Sequence, residues 1–344
     1  MKKTIILAMP YLYGVDKLIE KNLNHLGYTV INFCFDDRDS YYPNPLCRAL
    51  SFYNRKIRHS LNYKKYLKYC RYKDEFKQGF TSLGGRKADY ALCIRADAYP
   101  KQIIADIRRH SQWCVNYQWD GMHRFCETVE YLPYFDRFFV FDQNDVERYP
   151  QYPLHTISNF YFDFPTEQPT PQTCSDALYF IGGMMDSRNK VIQKFIELAD
   201  QAGLPLDFYI AGKEHKFAEH FHHSGVHHLN RDNEFSFEEN LQKAMGSRAL
   251  VDFVISEHEG LSFRIFDALK FDKKLITTNP TVKQYDFYHE NNIFIWNESE
   301  PVGKIIEFLD KPFVPVPEEI KQKYSFSHWL KTLLAKDPTL PENE

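Results

Sequence analysis

The sequence predicts an α/β protein with two Rossmann-like domains that face each other across a cleft. In both halves of the chain, short apolar runs alternate with segments of helical periodicity, which is typical of βαβ units and parallel sheets. The segment 163–176 contains three prolines and many small polar residues, and this composition indicates a linker. A length of 344 residues suits two domains. We predict an N-terminal domain at 1–165, a C-terminal domain at 166–320, and a helix and tail at 321–344 that pack back on the N-terminal domain.

The individual elements follow from the apolar pattern. The apolar runs predict strands at 4–10, 28–35, 88–96, 112–119, 137–142, 177–183, 206–212, 249–255 and 273–278. Apolar residues at helical spacing predict helices at 14–27, 101–110, 189–203, 237–247, 261–271 and 325–334. Ligands of parallel sheets bind outside the carboxyl ends of the strands, so we expect the site in the cleft between the domains. Two independent Rossmann domains in tandem are the alternative.

Composition limits the class of protein. Hydrophobic residues make up 43% of the chain, which excludes a disordered protein, and the net charge of −3 gives no general attraction to nucleic acid. The seven cysteines include no CxxC pair, so neither a disulfide framework nor a cysteine zinc site is expected, and a reducing cytosol fits this pattern.

The N-terminus raises the question of a targeting segment. Residues 1–14 begin with two lysines and a short apolar run, which is also how a signal peptide begins. The run is short and Pro10 interrupts it, so we interpret it as the first strand. No apolar stretch approaches the 18 or so residues of a membrane span.

An acidic turn joins two strands of the second half. Glu259 and Gly260 precede a helix expected to start near Leu261, on which Arg264 and Asp267 are i, i+3 neighbours. A helix N-terminus and an arginine attract phosphates, whereas carboxylates accept hydrogen bonds from hydroxyl groups. A ligand with both groups, such as a nucleotide-sugar, would explain the combination. The structural alternative is an acid at a helix N-terminus beside a surface ion pair.

This stretch resembles the donor-binding signature of retaining GT-B glycosyltransferases. The resemblance consists of Glu259, seven residues, Asp267 and the following "ALKFDKKLITTN". Two departures are an aspartate as the second acid and Phe271–Asp272 where the family has a glycine. The resemblance implies that Glu259 contacts the transferred sugar and that Asp267 contacts the ribose. It also places three residues that open the helix, and one arginine within it, around the phosphates: Gly260, Leu261, Ser262 and Arg264.

Other strand ends in the second half supply further candidates for the donor site. Gly182 and Gly183 end a strand and would let the backbone approach a diphosphate. The resemblance to GT-B glycosyltransferases implies that Arg188 neutralises phosphate charge, with Lys213 as a second candidate, and that Asn230 lies against the nucleobase. Each has a structural alternative, such as an ordinary βα turn.

The first half supplies candidates for the acceptor site. In "VNYQWDGMHRF", Trp119 and Asp120 follow a strand, and Asp120 or His123 would activate or position an acceptor hydroxyl. Arg95 and Asp97 follow the neighbouring strand and form a second acceptor-side pair. The turn at Asp120 and the run at 135–150 resemble bacterial polysaccharide and lipopolysaccharide glycosyltransferases. The structural alternative for Asp120 is a helix cap.

The segment 52–73 is basic and aromatic. It contains eight lysines and arginines and five tyrosines but no acidic residue. We predict a basic aromatic helix that contacts an anionic membrane surface, as a lipid-linked acceptor would require. A solvated helix face is the alternative.

Together these features predict a glycosyltransferase. It would move a sugar from a nucleotide-sugar to a lipopolysaccharide, lipooligosaccharide or capsule glycan with retention of configuration, in the cytoplasm and peripherally at the inner membrane. We expect no metal and no cofactor, because the six histidines between 215 and 228 have irregular spacing without a complementing acid or cysteine. The alternatives are a sugar-nucleotide epimerase of the same fold and a non-catalytic nucleotide- or glycan-binding protein.

Overall fold

The computed structural model describes residues 2–36, 40–122, 125–166, 174–255 and 260–336. The chain divides into two compact units. Unit 1 comprises Met1–Ile157 together with Leu330–Glu344, and unit 2 comprises Ser158–Trp329. In the described ranges, no helix is both long and apolar enough to cross a membrane.

Unit 1 contains a parallel sheet of six strands in the order β2-β1-β3-β4-β5-β6. The strands are β1 (Thr4–Ala8), β2 (Thr29–Asn32), β3 (Ala88–Ile94), β4 (Ser111–Gln118), β5 (Arg137–Val140) and β6 (Leu154–Thr156). The helices are α1 (Val15–His25), α2 (Pro45–Lys56), α3 (Asn62–Cys70), α4 (Lys73–Ser82), α5 (Lys101–Arg109) and α6 (Gln143–Arg148). Two 3-10 segments, Ala96–Ala98 and Cys126–Tyr134, follow β3 and β4.

The core of unit 1 explains why these segments are strands. Four consecutive residues of β1, 5–8, are fully buried, as expected for a central parallel strand covered by helices on both faces. Phe33 stacks on Phe76 at 4.8 Å between ring centroids, so the segment after β2 is fixed against α4. The predicted strand at 28–35 is therefore shorter, because its last residues turn into this aromatic cluster.

The segment 52–73 does not form the single helix that we predicted. The side chain of Asn44 accepts a hydrogen bond from the amide of Cys47, and Pro45 occupies the first turn, so α2 starts before the basic stretch. The chain leaves the helical path after Lys56 and re-enters it at Asn62 in α3. The stretch is thus divided between α2 and α3, and its last residue, Lys73, begins α4.

Unit 2 contains a second parallel sheet of six strands, in the order β12-β11-β10-β7-β8-β9. The strands are β7 (Leu178–Gly183), β8 (Leu206–Ala211), β9 (Val226–Leu229), β10 (Ala249–Asp252), β11 (Lys274–Thr277) and β12 (Ile293–Ile295). The helices are α7 (Asp186–Gln201), α8 (Glu214–His220), α9 (Phe237–Gly246), α10 (Phe263–Lys270), α11 (Val302–Asp310) and α12 (Glu318–Gln322). The last helix, α13 (Phe326–Leu334), begins in unit 2, and its residues from Leu330 onward belong to unit 1. Pro280–Gln284 is a 3-10 segment.

Aromatic packing fixes the sheet of unit 2 against its helices. Phe195 of α7 meets Phe253 at 5.4 Å and Trp296 at 5.1 Å between ring centroids, which fills the space beside β10. On the other face, α10 buries Ile265 and Phe266 against β11 and the loop that follows it. The predicted two α/β halves are confirmed, and the strand ends that carried the candidate residues lie at one edge of each sheet.

Candidate functional site

The strand order of unit 2 contains one topological switch point, between β7 and β10. The chain runs outward from β7 through β8 to β9, crosses back to β10, and continues through β11 to β12. Helices that follow β7 and β10 therefore leave the sheet on opposite sides, which opens a crevice at the carboxyl ends of these two strands. The ends that border it are Gly183 and Asp252.

Arg264 of α10 connects the two sides of this crevice. Its guanidinium donates one hydrogen bond to the carbonyl oxygen of Ile181 in β7. A second goes to a carboxylate oxygen of Asp252 in β10, with an N–O distance of 3.3 Å. The guanidinium also lies 4.9 Å from the ring centre of Phe180. Arg264 is thus held with its charge at the switch point.

Asp252 organises the start of α10. The hydroxyl of Ser262 donates to one carboxylate oxygen at 2.7 Å, and that of Thr277 donates to the other at 3.0 Å. Because Ser262 is the N-cap residue and its hydroxyl points to Asp252, it makes no side-chain cap bond to the first amides of α10. The helix starts at Phe263, two residues later than predicted, and the preceding Gly260 and Leu261 are buried.

Arg188 brings a second guanidinium to the same crevice. It donates to the carbonyl oxygen of Gly183 and, at 3.1 Å, to that of Phe253, so it also joins the β7 side to the β10 side. A Cβ atom on Gly182 would lie 2.7 Å from a terminal nitrogen of Arg188 and 2.8 Å from the ring of Phe180. Glycine at 182 is therefore required for this arginine to occupy its position.

Asp267 does not pair with Arg264 as the i, i+3 spacing suggested, because Arg264 turns to Asp252. Its carboxyl is 3% exposed, and burial raises its pKa to about 7, although the charges of Arg264 and Lys270 offset part of that rise. Burial likewise lowers the pKa of Lys270, whose ammonium nitrogen is itself buried. The structure thus buries Asp267 inside unit 2.

The two remaining donor-side candidates in unit 2 lie at the ends of β8 and β9. Lys213 is exposed and stands two residues after Ala211, which pairs with Gly183 in the sheet, so it lies at the same edge. Asn230 is exposed, and its side-chain oxygen accepts the amides of Asp232 and Asn233 in a tight turn.

Two predicted residues, Glu259 and His123, lie outside the described residues, as does Glu257. The histidines between 215 and 228 have separate partners: His223 faces Asp200 and His227 faces Asp207. Within the part of the chain that the structure describes, no three His, Cys, Asp or Glu side chains gather as a metal site would require.

In unit 1, the predicted residues Arg95, Asp97 and Asp120 are brought together at the carboxyl ends of β3 and β4. Arg95 forms two hydrogen bonds of 2.8 Å to Asp97 and a further ion pair with Asp120. Its guanidinium lies 3.9 Å from the ring centre of Phe125. Burial lowers the pKa of Arg95, but the bonds and charges of the two aspartates outweigh it, so the pKa is raised overall.

The arrangement in unit 1 depends on an unusual backbone at Arg95. This residue has φ of 58° in the left-handed region, which turns the chain sharply out of β3. Asn116 accepts the amide of Ala96 at 3.1 Å and holds that turn, and Gln118 donates to Asp97 at 3.0 Å. Trp119, predicted on the acceptor side, is half-buried beside Asp120.

Sequence reasoning missed two acids at these edges. Asp252 was treated as part of an apolar strand, although an acid within the run "ALVDFVI" was the available signal. Asp16 lies in the first turn of α1 at the end of β1, next to the switch point of unit 1 between β1 and β3. Burial raises the pKa of Asp16.

Solved structures with the same architecture were found. An α-glucosyltransferase in complex with UDP and a 13-mer DNA containing a central A:G mismatch aligns with a TM-score of 0.53 and 12% identity, over 97% of this chain and 93% of that one. AviGT4, a glycosyltransferase involved in avilamycin A biosynthesis, aligns with a TM-score of 0.50 and 10% identity, over 97% and 98%. The chain has the GT-B fold.

Other comparisons add no function to this assignment. A co-structure of S. aureus MnaA with UDP aligns with a TM-score of 0.49 and 11% identity, over 99% of this chain and 100% of that one. No protein-family model matches the chain, and no curated protein matches it. At these identities the likeness establishes the GT-B fold alone.

Proposed function

We propose that this protein is a glycosyltransferase that uses a nucleotide-sugar donor. The observation that carries the proposal is the pair of guanidinium groups, Arg188 and Arg264, at the switch point of unit 2. Arg188 donates to the carbonyl oxygens of Gly183 and Phe253, and Arg264 donates to that of Ile181 and to the carboxylate of Asp252. Two guanidinium groups held in place at one strand edge suit the diphosphate of a nucleotide-sugar.

The chemistry of transfer explains why fixed cations are needed. The bond between the sugar and the diphosphate breaks while a bond forms from the sugar to an acceptor oxygen, so negative charge grows on the leaving diphosphate. Cations held in place beforehand stabilise that charge without reorganising during the reaction. Arg264 and Arg188 take this role in the proposal, and Lys213 at the same edge assists. No metal or cofactor is required.

The other donor contacts are proposed from the resemblance to the donor-binding signature of retaining GT-B glycosyltransferases. Glu259 would position the transferred sugar, and the Glu259–Asp267 spacing is the basis for proposing retention of configuration. The backbone of 260–262 and the N-terminus of α10 would face the phosphates, with Asn230 near the base. Asp267 is assigned to the ribose, which requires the buried carboxyl to become accessible when the donor binds.

The acceptor side of the proposal lies in unit 1. Asp120 would accept the proton of the acceptor hydroxyl or hold that hydroxyl in place, and Arg95 and Asp97 would fix the orientation of Asp120. Trp119 and His123 would contact the acceptor. We propose a lipopolysaccharide, lipooligosaccharide or capsule glycan as acceptor, so that the protein works in the cytoplasm at the inner membrane.

Donor binding is tested by a thermal-shift screen of the full-length protein against UDP, GDP, CMP and ADP sugars. A ligand at 100 times its dissociation constant stabilises the folded state by about 2.7 kcal/mol. We expect a shift with one nucleotide class and its loss in Arg264→Ala. Arg248→Ala is the matched control, because Arg248 precedes β10 at the opposite edge of the same sheet and pairs with Asp310. An equal shift in both variants would contradict the site.

Transfer is tested with the donor identified by that screen. The expected product is a glycosylated acceptor; Glu259→Ala abolishes its formation, and a chelator does not change the rate. Interconversion of nucleotide-sugars without any acceptor would instead identify an epimerase. Binding with neither reaction would identify a non-catalytic binding protein.

A further inference from the structure

Helix α2 in unit 1 exposes a continuous row of large apolar side chains. Leu46, Leu50, Tyr53 and Ile57 follow each other at spacings of four, three and four residues, which places them on one face of the helix. Their side chains are 67%, 41%, 47% and 63% exposed. We call these four residues the α2 stripe.

The orientation of α2 is opposite to that of an ordinary surface helix, which turns its apolar face to the core. The residue of α2 that is buried is the small, polar Ser51, and the half-buried ones are Cys47 and Asn54. The helix therefore packs on unit 1 through small or polar side chains and presents the α2 stripe to the surroundings. An exposed apolar surface of this kind indicates an interaction site.

The segment that carries the α2 stripe and the following helix has charged residues of one sign. Residues 44–73 contain nine lysines and arginines and no aspartate or glutamate. Lys65 is paired with Glu127 at 2.6 Å. Next to the stripe, the guanidinium of Arg58 lies 5.9 Å from the ring centre of Tyr53, and that of Arg55 lies 6.0 Å from the ring centre of Phe52. Apolar and cationic groups are thus adjacent on one surface.

We propose that α2 lies in the interface of an anionic lipid bilayer. The α2 stripe enters the boundary between headgroups and acyl chains, and the cations of α2 and α3 contact lipid phosphates. The inference rests on the membrane partner in the proposed function and extends it. The anchor is an inserted apolar row that begins at Leu46, before the predicted segment 52–73.

The alternative binding partner of the α2 stripe is a second copy of this chain. A symmetric dimer through α2 would place the same surface on both sides of the interface. It would therefore bring two acid-free, basic segments into opposition, which costs free energy. An anionic bilayer offers the opposite charge together with an apolar interior, so it satisfies both features of the surface.

The test is co-sedimentation of the full-length protein with vesicles. One set contains phosphatidylcholine with phosphatidylglycerol, and the other contains phosphatidylcholine alone. The stripe variant is Leu46→Ser, Leu50→Ser and Ile57→Ser. The control variant is Leu26→Ser with Ile306→Ser, which changes two other exposed apolar residues, of 37% and 38% exposure. We expect the stripe variant to lose roughly tenfold or more of its partitioning into anionic vesicles, and the control to partition like the wild type.

Each other outcome counts against the proposal. Equal partitioning of stripe variant and wild type would overturn insertion, and equal binding of wild type to neutral vesicles would overturn the role of charge. A concentration-dependent dimer in light scattering that the stripe variant abolishes would assign the surface to a second copy.

The donor site is tested separately from this surface. Arg264→Ala should bind vesicles like the wild type, and the stripe variant should keep the nucleotide-dependent thermal shift. If no nucleotide binds but the vesicle results hold, the proposed enzyme fails while the membrane surface stands.

Discussion

The carboxyl edges of the two sheets hold their arginines in opposite ways. In unit 2, Arg188 donates to two backbone carbonyl oxygens, and Arg264 donates to one backbone carbonyl oxygen and to the carboxylate of Asp252. In unit 1, the single guanidinium of Arg95 is shared by two aspartates. The edge of unit 2 thus brings two guanidinium groups together, whereas the edge of unit 1 brings two carboxylates together around one guanidinium.

This difference is what the proposed transferase would need for its two substrates. The diphosphate of a nucleotide-sugar would bind beside the two guanidinium groups of unit 2. An acceptor brings a hydroxyl group, for which a carboxylate is a hydrogen-bond acceptor and a base. The comparison predicts that changes in unit 1 and unit 2 have separable effects on transfer, donor binding and stability.

The largest expected effect is on transfer and comes from unit 1. Asp120→Asn keeps a hydrogen-bond acceptor for Arg95 but removes the base, so we expect kcat to fall by roughly 10²- to 10⁴-fold. The thermal shift with donor nucleotide should stay unchanged. Asp106→Asn is the control, because Asp106 pairs with Arg109 on α5, away from the strand ends. Loss of nucleotide binding in Asp120→Asn would break the division of roles.

The next largest expected effect is on the free energy of unfolding, and it differs between Arg95 of unit 1 and Arg188 of unit 2. Arg95→Ala leaves Asp97, which is 2% exposed, without its cation, and should lower the free energy of unfolding by roughly 3–5 kcal/mol. Arg188 is half-exposed and bonds to carbonyls, so Arg188→Ala should cost about 1 kcal/mol. Urea denaturation measures both. Similar losses would mean that Arg188 is also a structural residue.

The sequence predicted the fold because the fold depends on local patterns. Buried strands appear as apolar runs, and β1 and β3 are examples in which most residues are inaccessible to water. The short strands β6 and β12, of three residues each, carry too little pattern to be predicted.

The side-chain partners could not be predicted in the same way. The i, i+3 spacing suggested that Arg264 pairs with Asp267. Its partner is instead Asp252, which lies in β10, a strand that the fold places beside the start of α10. The outward orientation of α2 was also hidden, because the sequence shows an apolar face without showing what it packs against. By contrast, the position of Gly182, Gly183 and Arg188 at the carboxyl edge could be predicted, since a strand end and a helix start mark it; their role in donor binding stays a prediction.

The buried carboxyl of Asp267 makes the stability of the protein depend on pH. Burial raises the pKa of Asp267 from an ordinary 3.8 to about 7, so between these values the folded state binds a proton that the unfolded state has released. The free energy of unfolding should therefore fall as pH rises from about 4 to about 7, by on the order of 2–4 kcal/mol.

The variant Asp267→Asn tests that assignment, because it should lack the pH-dependent loss and should exceed the wild type in stability near pH 8. A wild-type pH profile in this variant would assign the effect to another group. If Asp267 binds the ribose, the same variant should also raise KM for the donor.

The smallest expected effect is on nucleotide affinity and comes from a glycine of unit 2. In Gly182→Ala, the new methyl group would meet the guanidinium of Arg188, so this side chain must shift from its position in the crevice while the charge of the protein is unchanged. We expect about a tenfold loss of nucleotide affinity, equivalent to about 1.4 kcal/mol. Gly303→Ala is the control, since a Cβ there meets no other atom within 4 Å. If calorimetry finds equal nucleotide affinity in both variants, the position of Arg188 does not determine donor binding. Arg264 would then be the only one of the two arginines left to carry the proposed contact with the diphosphate.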